Sequence, residues 1–235
     1  MVRLFVGIDL SWKCVPFKDR GTAVCVCDDK GRASMPELVT TDDDILSVVP
    51  SEGGAWIAID ASLRVPNLTG LRSPERMLVN EGIHVLPTNR RFLEMHCGGS
   101  RGESLAERLE KIGYERDGPS LGKERLFFET YPYAILRCIT DERIRYKKGS
   151  AEVRSEGSAV VIKALQKWIP ELEPPAKLMS MVGDEEEWTS EVPDMIDSLL
   201  CVGCLYAHWL YDGKMTRLVG DETDGYILLP RRDRA

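Results

Sequence analysis

The sequence predicts an α/β domain: a mixed β-sheet with helices packed on both of its faces. Short apolar runs of strand length recur at Leu4–Asp9, Thr22–Cys27, Trp56–Asp60 and Leu126–Glu129. From the middle of the chain onward, stretches of helical length and periodicity separate them. Consecutive strands come first and strands alternating with helices second, which is the order of a mixed sheet. At 235 residues the chain suits a single domain spanning 1–235 and is long enough to bury a substantial core.

Taken in order, Leu4–Asp9 reads as a buried strand ending in a carboxylate, and Thr22–Cys27 as a second strand with a turn at Asp28–Gly31 behind it. A third strand is expected around Glu37–Thr41. Asp42–Val49 follows as a short helix capped by one of the Asp42–Asp44 carboxylates. Trp56–Asp60 repeats the first pattern. Pro74–Glu81 reads as a helix stopped by Gly82, His84–Leu86 as a strand, and Glu103–Ile112 as an amphipathic helix stopped by Gly113. Leu126–Glu129 is a short strand ending in an acid, followed by helices over Pro132–Ile139 and Ser158–Trp168. The segment 170–192, rich in Pro, Glu and Ser, reads as a variable excursion from the core. Pro193–Tyr211 is the longest helix, and Gly225–Leu229 a final edge strand. Three antiparallel strands followed by βα units is the order of a ribonuclease H-like core.

Bulk composition narrows the function classes. Apolar content of 43% and charged content of 29% exclude a disordered or fibrous chain. No apolar run approaches the roughly 18 residues of a membrane span, and no basic leader with a cleavage site precedes Val2–Ile8, so no membrane association and no secretion are expected. Seven cysteines, an odd number set mostly in apolar stretches, suit reduced thiols in a cytoplasmic protein. A net charge of −7 argues against a protein that coats nucleic acid non-specifically, and it leaves room for an acidic site neutralised by metal.

Four acids recur in comparable places: Asp9, Asp60 and Glu129 at strand ends, and Asp197 near the start of the longest helix. Alternation puts Phe5, Gly7 and Asp9 on one face of their strand, and Trp56, Ala58 and Asp60 on one face of theirs. Two residues behind each Asp that face is very small, so a helix can lie close over it. At 100° per residue, Asp194, Asp197, Cys201, Cys204 and His208 fall within an arc of roughly 80°. That stripe is expected to pack on the Gly7/Ala58 face and deliver Asp197, with Asp194 near it, beside Asp9 and Asp60. Clustered carboxylates repel unless they share a proton or bridge a cation, and hard oxygen ligands favour Mg²⁺ or Mn²⁺. Each acid also has a plainer reading. A strand-end Asp often just starts a turn, Asp194 offsets a helix dipole, and Glu129 can pair with an arginine.

At Gly7-Ile8-Asp9, Ala58-Ile59-Asp60, Arg101-Gly102 with Leu105 and Leu109, Glu129-Thr130-Tyr131-Pro132, Tyr146-Lys147-Lys148, Asp194-x-x-Asp197-Ser198-Leu199, and Gly220-Asp221 with Gly225, Ile227 and Pro230, the chain resembles the domain-of-unknown-function family DUF429. That family is regarded as predicted nucleases of ribonuclease H-like fold. The resemblance implies that Asp9, Asp60, Glu129 and Asp197 are the shared acidic positions. The D-x-x-D helix also resembles that of Holliday-junction resolvases, where two helix acids contribute to metal binding. Ser62-Leu63 and Ser198 depart from the family pattern without touching an acid.

The leading expectation is therefore a phosphodiesterase acting on DNA or RNA, dependent on Mg²⁺ or Mn²⁺. Asp9, Asp60, Glu129 and Asp197 would be catalytic, and Asp9, Asp60, Asp194 and Asp197 would hold metal. Among the basic residues Arg90, Arg91, Arg101, Arg143, Arg145, Lys147 and Lys148, those favoured for phosphate are Arg101, before Gly102 at a helix start, and Lys147. A non-catalytic nucleic-acid-binding or regulatory protein on the same scaffold is the alternative. An actin-like phosphotransferase is a third, weakened by having only Gly98-Gly99 for its phosphate loops. Cys201-x-x-Cys204 with His208 resembles half a zinc site, but a continuous helix lacks knuckle geometry.

Overall fold

The computed structural model describes residues 4–14, 21–116, 123–140 and 142–232. In chain order the elements are β1 (Leu4–Asp9), β2 (Thr22–Asp28), β3 (Glu37–Val39), α1 (Asp42–Val48), β4 (Ala55–Ile59), α2 (Ser73–Asn80), α3 (Arg90–Cys97) and α4 (Arg101–Lys111). They continue with β5 (Glu115–Arg116), β6 (Arg125–Thr130), α5 (Pro132–Ile139), α6 (Ala151–Trp168), α7 (Ala176–Met181), α8 (Val192–Leu210), β7 (Thr216–Asp221) and β8 (Gly225–Pro230). The strands form one sheet in the order β3-β2-β1-β4-β6-β8-β7, with the short β5 also paired to β6. The fold is thus α/β with a mixed sheet. β1, β2 and β3 pair antiparallel, whereas β4, β6 and β8 run parallel to β1.

Strand alternation sends side chains to two separate cores. Phe5, Trp56, Ala58 and Phe128 face α5, α6 and α8. Val6, Ile8, Ile57, Ile59 and Phe127 face α1 and α4, where Ile45, Leu105 and Leu109 meet them. Every residue of α8 from Val192 to Ala207 except Asp194 is buried, as befits a helix that is apolar all round and enclosed on all sides. No helix among the described residues is long and apolar enough to cross a membrane.

Several expectations change. Thr41, not an aspartate, is the N-cap of α1; Asp44 completes a capping box by accepting from the Thr41 amide at 2.8 Å. α6 begins at Ala151 rather than Ser158, because Gly157 is an interior residue rather than a break. His84–Leu86 is not a strand. Pro87 cannot donate to a ladder, and the edge of β6 open to it is taken by β5 at Leu126–Phe127 and by β8 at Glu129–Thr130. β8 is interior, with β7 outside it as the edge of a hairpin. Segment 170–192 contains α7 and lends Leu172, Leu178 and Val182 to the core, pinned by a 2.8 Å bond from the Glu173 amide to the Gly31 carbonyl.

Candidate metal centre

β1 and β4 are parallel neighbours, with Gly7 opposite Ala58. The ladder runs one step past the strand, the Asp60 amide donating to the Ile8 carbonyl at 2.8 Å. Asp9 and Asp60 therefore emerge together at the carboxyl ends of adjacent strands, on the face that α8 covers. The helix comes so close over Gly7 that an added Cβ there would lie 2.5 Å from the Val202 amide nitrogen. That approach brings Asp197, 1% exposed, to the two strand-end acids. One carboxylate oxygen from each of Asp9, Asp60 and Asp197 lies within 4.8 Å of the others. Among the described residues this is the only group of three or more metal-ligating side chains so gathered.

A loop supplies the counter-charge. Tyr146 donates its hydroxyl to Asp197 Oδ1 at 2.6 Å, and the Lys147 ammonium pairs with Asp197 Oδ2. The loop reaches Asp197 by lying against α6 at Gly157, where a Cβ would stand 2.6 Å from the Arg145 carbonyl carbon. Burial of Lys147 works against its charge, but Asp197, Asp9 and Asp60 outweigh it and hold the ammonium firmly protonated.

Even so, one lysine does not neutralise three acids. Unit charges about 4 Å apart repel by roughly 4 kcal/mol at an effective dielectric of 20. Burial first, and the Asp197 charge second, push the Asp60 carboxyl up to about 8. Burial, then Asp197 and Asp60, push Asp9 well above the usual carboxylate range. Carboxylates gathered this closely favour a shared proton or a bridging cation. In chemistry the donor set fits Mg²⁺ or Mn²⁺: three hard carboxylates whose mutual repulsion a divalent cation would relieve.

The remaining expected residues fall elsewhere. Asp194, half-buried one turn before Asp197, is outside the three-acid group, although its charge still raises Asp9. Glu129 shares a cavity wall with Asp60, but its side chain is tied down. It accepts from Arg72 at 2.5 and 3.0 Å and from the Leu63 amide at 3.0 Å. Arg72 is itself 1% exposed and also pairs with Glu75 at 2.9 Å. The sequence reading missed this arginine. Its signal was the Arg72-x-x-Glu75 spacing at a helix start, together with the need of a buried Glu129 for a cation.

Arg101 is held away from the acids. Its guanidinium contacts Asp42 and the Ser11 carbonyl at 2.8 Å and the Thr22 hydroxyl at 3.3 Å, so it clamps α4 to α1 and the end of β1. Most of its donors are thus directed at acceptors inside the protein. The Cys201–His208 stripe packs rather than ligates. Cys201 lies against the Ile8 carbonyl, Cys204 against the Leu228 carbonyl, and His208 Nδ1 is 2.6 Å from the Thr216 hydroxyl. Burial pushes His208 down to about 4, which keeps it neutral.

No curated protein and no solved structure matches the chain. Residues 7–224 match the family described as protein of unknown function (DUF429), a span that takes in all three clustered aspartates, and the chain belongs to that family.

Proposed function

We propose that the protein is a divalent-metal-dependent nuclease of ribonuclease H-like architecture, hydrolysing phosphodiester bonds of DNA or RNA in the cytoplasm. One observation carries the reading: three aspartates from β1, the end of β4 and α8, far apart in sequence, converge within 4.8 Å. The strand order supports it, with three antiparallel strands followed by parallel βα units. The seven free thiols suit a reducing cytosol.

Asp9, Asp60 and Asp197 would hold Mg²⁺ or Mn²⁺, with Asp194 as an outer acid. A divalent cation held by these residues would supply Lewis-acid chemistry, stabilising charge on a phosphoryl oxygen and lowering the pKa of a water so that it yields hydroxide as the nucleophile. The chain's own residues set the geometry. Tyr146 fixes the Asp197 carboxylate, and α8 fixes its depth. Lys147, whose side chain is 44% exposed, balances the acids in the metal-free protein and is free on its outer side to meet a phosphate oxygen. Glu129, held by Arg72, forms a wall of the site rather than a ligand.

A non-catalytic nucleic-acid-binding protein is the second reading, favoured by the Lys147–Asp197 pair, which neutralises part of the cluster without any metal. Incubation with single-stranded, duplex and branched DNA and RNA, with Mg²⁺, Mn²⁺ or chelator, separates the two. Metal-dependent cleavage that disappears in Asp60→Asn, with the circular dichroism unchanged, is the expected result. No cleavage with either ion, and no thermal shift on adding them, would sink the nuclease reading.

A further inference from the structure

Beside the acid cluster lies a cavity of about 170 Å³, and Asp60 belongs to both. Its walls are apolar, from Leu78, Val85, Leu86 and Ile227, and two aromatic residues, Trp12 and Tyr131, line it with Asp60. Both rings are tethered: Trp12 donates its indole N–H to the Asp60 carbonyl at 3.1 Å, and Tyr131 its hydroxyl to the His84 carbonyl at 3.2 Å. The polar side is the buried Arg72, flanked by Glu75 and Glu129, with the hydroxyls of Ser62, Thr88 and Thr130 already donating to acceptors within the protein. Two carboxylates against one guanidinium leave it negative, so an anion is unwelcome. A carboxylate offers about four acceptor sites. Glu129 uses three of them, on two Arg72 nitrogens and the Leu63 amide, which leaves about one for a donor in the cavity it lines.

We infer that this cavity is a nucleobase subsite, taking one base that presents an exocyclic amine while the attached phosphate stays outside at the aspartates. The size admits a single ring system, well short of the roughly 300–1,000 Å³ of pockets for drug-sized ligands. Apolar and aromatic walls with one hydrogen-bonding edge are how an unstacked base is held. The excluded anion and the shared Asp60 orient the ligand, base inward and phosphate toward the acids. The identity of the ligand rests on the nuclease reading; the cavity and its charge do not.

The test is saturation-transfer NMR of the full chain in chelator with cytidine, uridine and ribose, alongside a separate Mn²⁺ titration. Cytidine is expected to bind at least tenfold more tightly than uridine, and ribose not measurably. Leu86→Trp fills the mouth from a position 53% exposed, so the fold tolerates it. It should weaken cytidine at least tenfold and leave Mn²⁺ affinity unchanged. Cytidine binding no tighter than uridine or ribose, or equal binding to Leu86→Trp, overturns the inference. Cytidine binding as expected in a protein indifferent to Mn²⁺ would uphold the subsite while removing the nuclease reading.

Discussion

Gly7 and Val202 are in backbone-to-backbone contact across the sheet–helix interface: a Cβ on Gly7 would stand 2.5 Å from the Val202 amide nitrogen and would also collide with the Ser198 carbonyl. Neither neighbour is a flexible side chain, so relief requires α8 to lift from β1, and Asp197 would lift with it. Gly7→Ala is expected to destabilise the protein by about 3 kcal/mol, the upper end of ordinary overpacking. Denaturant titration measures this. A cost near zero would mean that the helix is free to shift, and that the position of Asp197 is not set by this contact.

The pH dependence of the metal-free protein follows from groups of opposite sign. Asp60, at about 8 in the folded chain against about 3.9 unfolded, holds a proton in the fold that the unfolded chain has released, so stability falls as pH rises through that interval. Asp9, also raised, acts in the same direction. His208, at about 4 folded against about 6.5 unfolded, does the opposite: its contribution is complete above about pH 6.5 and is lost as pH falls toward 4. The two effects offset each other below pH 6.5. Between pH 6.5 and 8 the acids dominate, joined toward pH 8 by the buried thiols of Cys25, Cys27, Cys201 and Cys204, which are also raised and act in the same direction. Stability should drop there by up to about 1.4 kcal/mol per pH unit for each extra proton held. Asp60→Asn should flatten that slope, and chemical melts at pH 6.5, 7.25 and 8 in chelator read it directly.

Metal addition should act most strongly where the built-in cation is missing. At a hundredfold excess over its dissociation constant, Mn²⁺ should stabilise the parent by roughly 2.7 kcal/mol. Lys147→Met should be less stable than the parent in chelator, since Asp197 loses its ion pair, and should gain more than the parent from Mn²⁺. Thermal melts with and without the ion decide. Equal indifference of both proteins to Mn²⁺ would favour the non-catalytic reading.

Arg72 is predicted to be structural in the strict sense. It is buried between two glutamates, so Arg72→Met leaves both carboxylates in the interior without their partner. Breaking such a pair costs about 3–5 kcal/mol. Stability should fall by that amount in a denaturant series. A loss under about 1 kcal/mol would mean that the Arg72 pair is not what holds Glu129, and would return it to the list of reactive acids.

Much of the site was legible from strand and helix periodicity alone. The period of two put Gly7 behind Asp9 and Ala58 behind Asp60 on one face, and the period of 3.6 put Asp197 in line with Cys201 and Cys204. Local chain geometry determines all of these, so no partner had to be known. The family resemblance likewise rested on short motifs in order. Three things needed the tertiary structure. Lys147 meets Asp197 only because Gly157 lets an irregular loop lie against α6, and loops carry no periodicity. The Arg72–Glu129 pair joins residues 57 positions apart, and which cation neutralises a buried acid depends on packing that no local pattern encodes. The Asp42, Ser11 and Thr22 partners of Arg101 lie 59 to 90 positions away, and only folding brings them around it. Sequence period dictates which way a side chain points from its own element. What that side chain meets is decided by the elements packed against it, because charge pairing and burial act through space rather than along the chain.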